Sequence, residues 1–267
     1  MTYKVGFIGL GNMGTAILCG AVTKAGFNEN DIYAHSLAFS DRAKEFNINV
    51  TNLKDLVINS DYIILCVKPS GFEDLLNEIK AVNGYIDKTY ISIAAGITLD
   101  YMESILGNVR IIRAMPNIAL TTGFGMTTLC PNGNANENDL LFAEKLFSGS
   151  GKSMRIDEKL MDICTAINGS GPAYVFMFIE ALADAAVQGG VPRADAYVLA
   201  SQTVMGSAFM QLETGIHPAI LKDMVCSPGG TTIEAVASLE NYGLRSCVIN
   251  AVKACAEKSK AMSKDKK

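Results

Sequence analysis

Two short stretches of this chain carry residue types at spacings that chemistry needs. The first is Ser227-Pro228-Gly229-Gly230-Thr231-Thr232, which lies between helical patterns over 218–225 and 233–239. Pro228 and the two glycines break the first pattern, and two hydroxyl residues start the second, with Glu234 in its first turn. Such a turn aims several backbone N–H groups and two hydroxyls at one point, which suits an anion such as a carboxylate. The plainer reading is a Gly-rich turn followed by a Thr cap, common in any protein. The second stretch is Gly9-Leu10-Gly11-Asn12-Met13-Gly14, a G-x-G-x-x-G run between a short apolar strand at 5–8 and a helical pattern at 13–24. The first glycine permits a tight turn and the second lets a pyrophosphate approach the backbone. The third lets the helix pack on the strand. In that context the run reads as a dinucleotide site.

The region after the second strand bears on which dinucleotide. An Asp or Glu about 20 residues beyond the glycines would hold the ribose of NAD. Here Ala34-His35-Ser36 offers no acid, Ser36 can donate to a 2′-phosphate, and Arg42 and Lys44 follow. NADP(H) is favoured, while Asp41 keeps NAD(H) open. Cys66-Val67-Lys68-Pro69 ends an apolar run, and Lys68 there can meet phosphate or ribose, or be a solvated lysine at a strand end. Ala94-Ala95-Gly96 and Ala114-Met115-Pro116-Asn117 end later strands. Their small residues leave room for a nicotinamide ring, and Asn117 can bond its amide. Gly149-Ser150-Gly151-Lys152-Ser153 imitates a phosphate-binding loop, but that pattern needs a glycine where position 146 is Leu, so it reads as a helix-to-strand turn.

The elements that must position these residues fall into two halves. Strand and helix patterns alternate from Val5 to Ile156: strands over 5–8, 32–34, 62–67, 90–94, 109–114, 125–129 and 153–156, with helices between them. That alternation predicts an α/β fold with a doubly wound, mostly parallel sheet and helices on both faces. Beyond Glu158 only helices are expected, over 172–188, 194–214, 218–225, 233–241 and 244–262. The division is 1–157 and 158–267. Ala183, Ala185, Ala186, Ala200, Gly206, Ser207 and Ala208 allow close helix packing. The apolar content exceeds one narrow stripe, which points to a subunit interface.

Composition narrows the partners. The 267 residues are 49% hydrophobic with a net charge of −4, so nucleic acid is not expected as a partner. The one basic cluster, Lys264-Asp265-Lys266-Lys267, reads as a frayed tail. Seven cysteines, an odd count without a C-x-x-C pair, read as reduced thiols of a cytosolic protein. His35 and His217 have no neighbours at ligand spacing, so no metal is expected. Glycines interrupt the first apolar segment, and no run reaches the ~18 apolar residues of a membrane span. The expectation is a cytoplasmic protein without membrane association.

Together these residues resemble the pyrroline-5-carboxylate reductase family over essentially the whole length. The resemblance rests on Gly9-Leu10-Gly11-Asn12-Met13-Gly14, Val67-Lys68-Pro69, Arg113-Ala114-Met115-Pro116-Asn117, Gly169-Ser170-Gly171-Pro172-Ala173-Tyr174, and His217-Pro218 leading into the Ser227–Thr232 turn. It implies reduction of 1-pyrroline-5-carboxylate to L-proline by hydride from NAD(P)H. It implies a Rossmann domain followed by an all-helical, substrate-binding and dimerising domain. It also implies a homodimer that can assemble into a decamer, a ring of five dimers. By motif, Ser227, Gly229, Gly230, Thr231 and Thr232 form the substrate turn. The N–H groups of Thr231 and Thr232 hold the carboxylate, and the Thr232 hydroxyl faces the ring nitrogen as the catalytic group. Gly9, Leu10, Gly11, Asn12, Met13 and Gly14, with Ser36, Asn52, Val67, Lys68, Pro69, Ala95, Gly96 and Asn117, fall on the cofactor side. Glu158 is placed at the substrate end. Met224 stands where some relatives carry a polar side chain, so a substrate contact made there is absent here. The turn is expected to complete a site with the Rossmann domain of the neighbouring subunit.

The chemistry agrees with the composition. Hydride transfer to a C=N bond is mostly a matter of orientation. A cyclic iminium is already electrophilic, and a hydroxyl or water can relay the proton, so a scarcity of His is no obstacle. The related β-hydroxyacid dehydrogenases use a Lys on the first long helix of the second domain; the helix after Gly171 carries none among its first nine residues. A non-catalytic dinucleotide sensor with this fold would have no need of the intact Ser227–Thr232 turn.

Overall fold

The computed structural model describes residues 3–264. Eight strands are present: β1 Val5–Leu10, β2 Ile32–Phe39, β3 Asn49–Val50, β4 Tyr62–Leu65, β5 Thr89–Ser92, β6 Arg110–Met115, β7 Gly125–Pro131 and β8 Gly151–Arg155. They form one sheet in the order β3-β2-β1-β4-β5-β6-β7-β8. Every pairing is parallel except β6 with β7.

The helices are α1 Asn12–Thr23, α2 Leu53–Asn59, α3 Phe72–Lys80, α4 Leu99–Leu106, α5 Glu137–Ser148, α6 Met161–Cys164, α7 Gly171–Gln188, α8 Arg193–Thr214, α9 Pro218–Val225, α10 Thr231–Asn241 and α11 Leu244–Lys264. Alternate residues of the central strands bury on opposite faces, as a strand buried on both sides requires. Val5, Phe7 and Ile64 pack with Ile17 and Leu18 of α1 and Leu146 and Phe147 of α5. Ile8, Ile63 and Leu65 pack with Leu56 of α2, Leu76 and Ile79 of α3 and Met102 and Leu106 of α4. The sheet is thus wound on both faces.

Some elements differ from the sequence pattern. β2 runs on to Phe39 because its register with β1 slips between the pairs Ile8–His35 and Leu10–Phe39, so extra residues of β2 oppose one step of β1. α2 has no sequence signal beyond its cap, where the Asn52 side chain accepts the Asp55 N–H at 2.9 Å. Before α7 the chain makes a π-helical turn, Thr165–Gly169. Of the basic cluster at 264–267, all but Lys264 lies outside the described residues. The stretch resembling a phosphate-binding loop is a helix-to-strand turn, as α5 ends at Ser148 and β8 starts at Gly151. There a side chain at Gly149 would run into Gly20 of α1.

By packing, the chain forms two compact units, Met1–Ser170 with Ala254–Lys267, and Gly171–Lys253. Residues 158–170, which the sequence assigns to the second domain, pack with the sheet. The first unit contains the sheet, α1–α6 and the last turns of α11. Cys255 of α11 meets the Ser170 hydroxyl at 3.2 Å, the Ser259 hydroxyl donates to Asp162 at 2.7 Å, and Met262 lies against Gly96. The second unit is helical. Its fully buried core is Ala183, Ala196 and Ala200, with Ile179, Ala186, Val187 and Val191 around them.

Candidate active site

The carboxyl edge of the sheet is built around the glycine turn that joins β1 to α1. Gly9 has φ 94°, the left-handed region that favours glycine, and a Cβ there would lie 2.8 Å from the carbonyl oxygen of Cys66. A Cβ on Gly14 would run into the Gly9 carbonyl, so the third glycine sets how closely α1 sits on β1. A Cβ added at Gly11 would meet no other part of the chain within 4 Å. Gly11 is also the N-cap of α1, with no side-chain cap and no acid in the first turn. The first N–H groups of α1 and their positive dipole end therefore stand open to an anion. The turn is braced from behind. The Thr15 hydroxyl donates to Leu10 O at 2.9 Å and lies 2.8 Å from the Ser40 hydroxyl. Residues around this turn fit a pyrophosphate: space where it must approach, free donors, and no competing carboxylate.

The other cofactor-side residues lie at or near the same edge, with different environments. Ser36 sits within β2 rather than past its end, and its hydroxyl oxygen accepts the Leu10 N–H at 3.0 Å. Asp41 is exposed and bonded to Lys44 at 2.8 Å, which holds its carboxyl below the usual range. Arg42 is exposed beside it. Val67, Lys68 and Pro69 follow β4, with Lys68 exposed. Cys66 before them is partly buried, and desolvation pushes its thiol up, which disfavours the thiolate. Ala95 is exposed, and Gly96 turns at φ 74° after β5. Asn117 follows β6 and accepts the Met126 N–H at 3.2 Å. Asn52 is occupied as the cap of α2.

The second unit contains the other constellation. α9 ends at Val225, and the Gly230 N–H closes a turn onto Ser227 O at 3.0 Å. Gly229 has φ 65°, and a Cβ on Gly230 would run into the Ser227 hydroxyl. α10 then starts at Thr231 with Gly230 as its N-cap and no side-chain cap. The threonines do not cap this helix; they are its first two residues. The N–H groups of Thr231 and Thr232 are orphan donors of a helix start, open to an anion. Thr232 is half-buried and Thr231 exposed.

The structure thus brings Ser227, Gly229, Gly230, Thr231 and Thr232 together in one unit and most of the cofactor-side residues along one edge of the other. Glu158 belongs to the first unit, where its Oε1 accepts the Leu99 N–H at 2.8 Å and an Arg113 Nη1–H at 3.0 Å. Arg113, a buried cation inside an apolar strand, is the residue that sequence reasoning left without a role. Its signal was a charge where β6 has only apolar neighbours on either side. Among the described residues, no three His, Cys, Asp or Glu side chains are grouped to hold a metal.

Comparison with known proteins adds the following. Residues 158–262 match the family described as pyrroline-5-carboxylate reductase dimerisation, and residues 4–96 the family described as NADP oxidoreductase coenzyme F420-dependent. The pyrroline-5-carboxylate reductase of Escherichia coli is 46% identical over 99% of this chain and 100% of its own length. A crystal structure of a pyrroline carboxylate reductase from Plasmodium falciparum with NADP bound superposes with a TM-score of 0.87, at 35% identity over 98% of each chain. The structure of the corresponding reductase from Coxiella burnetii gives a TM-score of 0.92, at 33% identity over 98% of this chain and 99% of that one.

Proposed function

This chain belongs to the pyrroline-5-carboxylate reductase family, and from that premise we propose how its parts divide the reaction. The protein is an NADP(H)-binding oxidoreductase that reduces 1-pyrroline-5-carboxylate to L-proline. One observation carries the substrate half: α10 starts behind the Ser227–Gly230 turn with no side-chain cap. Its N–H groups at Thr231 and Thr232 take the pyrroline carboxylate, as a helix start takes any anion of that size. The Thr232 hydroxyl faces the ring nitrogen and relays a proton to it, taking one from water in turn, as the C=N electron pair becomes the N–H bond of the amine. Ser227, Gly229 and Gly230 keep the turn in shape.

The cofactor half lies on the carboxyl edge of the sheet. Gly9–Gly14 hold the pyrophosphate on the N-terminus of α1, Val67, Lys68 and Pro69 meet phosphate or ribose, and Ala95, Gly96 and Asn117 receive the nicotinamide end. Bound there, NADP(H) supplies the hydride. NADPH is the preferred form, because β2 presents no acid to a ribose and Asp41 is held by Lys44. Ser36 and Asn52 complete the adenosine side.

The catalytic assembly is a homodimer, five of which close into a decamer, and the functional boundary lies at 157/158, where the dimerisation match begins. One helical stretch, Glu158–Gln188, is long and apolar enough by length and composition to cross a bilayer. It lies wholly in the dimerisation match, and its exposed apolar side chains suit a subunit contact. A cytoplasmic location agrees with seven cysteines that are all free thiols.

Two results test this reading. NADPH absorbance at 340 nm should fall only when 1-pyrroline-5-carboxylate is added; no loss with that substrate rejects the assignment. Thr232→Ala should lower kcat/KM by about 10-fold or more, the scale of one strong hydrogen bond. Unchanged kinetics would remove Thr232 from the mechanism.

A further inference from the structure

We propose that Glu158 is a positioning residue for the dinucleotide, acting through the loop at 94–98, and makes no contact with the substrate. This rests on the cofactor role given above to Ala95 and Gly96.

The geometry is that of a helix cap supplied from far along the chain. α4 opens with Leu99, and two of its orphan donors are satisfied. The Tyr101 N–H goes to the Thr98 hydroxyl at 3.1 Å, a local cap. The Leu99 N–H goes to Glu158, 59 residues away, at 2.8 Å. A carboxylate at the positive end of a helix is favourable in charge as well as in hydrogen bonding. The six residues between β5 and α4 are therefore held at three places. At the strand end, the Ile93 N–H bonds to Leu65 O at 3.2 Å. In the middle, Gly96 lies against Met262. At the helix end, Glu158 holds Leu99.

Glu158 is in turn held from beneath. Arg113 rises from β6 with its side chain 3% exposed, against 30% for Glu158. Its Nη1 bonds to the same Oε1, while its Nε and Nη2 are buried without a partner. Glu158 is thus the counter-charge of a buried guanidinium, and moving it away would leave that cation unpaired in the interior. The groove alongside, about 380 Å³, has Asp100, Glu103, Asp157 and Glu158 as its charged lining, among apolar and amide residues such as Leu99, Ile156 and Asn132. Four carboxylates make a poor wall for a substrate that is itself a carboxylate. Both facts set Glu158 apart from substrate binding. They make it a strap that ties the segment leaving β8 to the loop that receives the nicotinamide end.

The test measures the two ligands separately. NADPH Kd is read by fluorescence titration below the melting temperature, and KM for 1-pyrroline-5-carboxylate at saturating NADPH. Glu158→Ala should raise the NADPH Kd by about 10-fold or more and leave the KM for the imine within about 3-fold. Glu158→Gln, which keeps an acceptor for Leu99, should recover most of the NADPH affinity. Should the alanine variant fold poorly, Glu158→Asp keeps the charge but shortens the reach, and should weaken NADPH to an intermediate degree. A raised KM for the imine at unchanged NADPH Kd overturns the proposal, as does a fall in melting temperature with both constants unchanged. Failure of the wild-type protein to bind NADPH would instead reject the dinucleotide reading on which it rests.

Discussion

Gly14→Ala should weaken NADPH binding by about 100-fold, roughly 2.7 kcal/mol. A methyl at that position meets the Gly9 carbonyl head-on and lies 3.1 Å from the Cys66 side chain. Neither can yield cheaply, because the Gly9 carbonyl is backbone in a turn and Cys66 sits at the end of the central strand. α1 must move away from β1, and the N–H groups at its start leave the place where the pyrophosphate lies. The same overpacking should cost about 1–3 kcal/mol of stability. Gly11→Ala gives the contrast. A Cβ at Gly11 meets no other part of the chain within 4 Å, so the methyl strains no neighbour and the melting temperature should hold. The methyl instead stands in the space the pyrophosphate needs, and binding should still fall. NADPH titrations with parallel melting curves separate the two effects. A Gly14→Ala protein with an NADPH Kd within about 3-fold of wild type would show that the packing of α1 on β1 does not set the site.

The second large effect concerns the helical unit. Phe176→Arg should yield a protein that is monomeric or aggregated by light scattering, with kcat/KM down by more than about 100-fold. The reason is the size of the core. Three buried alanines cannot hold a helical unit together in water, since a Leu- or Phe-sized side chain contributes about 1.5–3 kcal/mol when fully buried and an alanine far less. Meanwhile Phe176 is 61% exposed, Met177 70%, Val198 68% and Leu212 62%. Apolar surface on this scale marks an interaction face. In the proposed dimer a second copy covers it and gives the Ser227–Thr232 turn a rigid support. A guanidinium in the middle of that face would have to be desolvated or would keep the copies apart. A Phe176→Arg monomer with wild-type turnover would disprove the dimer as the catalytic unit.

The sequence made the sheet legible because buried parallel strands are short apolar runs and the helices between them are periodic. The helical pattern over 218–225 has the bounds of α9. What escaped depends on distant partners. The length of β2 is set by a register slip against β1, which no local pattern contains. The cap of α10 was ambiguous, since a glycine and a threonine both begin helices, and only backbone geometry shows that Gly230 takes the position. The motif order that sets Glu158 at the substrate end says nothing of what holds its carboxylate. Its partners, Leu99 and Arg113, lie 59 and 45 residues away. A buried arginine inside β6 was the one local clue that some acid must come to it.

The sheet unit is left at Ser170 and rejoined at Ala254, where Cys255 lies against Ser170. The two crossings are neighbours in space although the whole helical unit separates them in sequence. A segment with adjoining ends is what domain insertion tolerates, so the helical unit has the form of a cassette set into the sheet unit. It also orders events on the ribosome. Gly96 emerges early, but its neighbour Met262 follows some 166 residues later, or roughly ten to thirty seconds at ordinary synthesis rates. During that interval the loop after β5 waits without the helix that covers it, and the apolar faces of α7 and α8 are already exposed. The cofactor edge is therefore among the last parts of the first unit to be finished, at about the moment when the surfaces that seek a second copy are also ready.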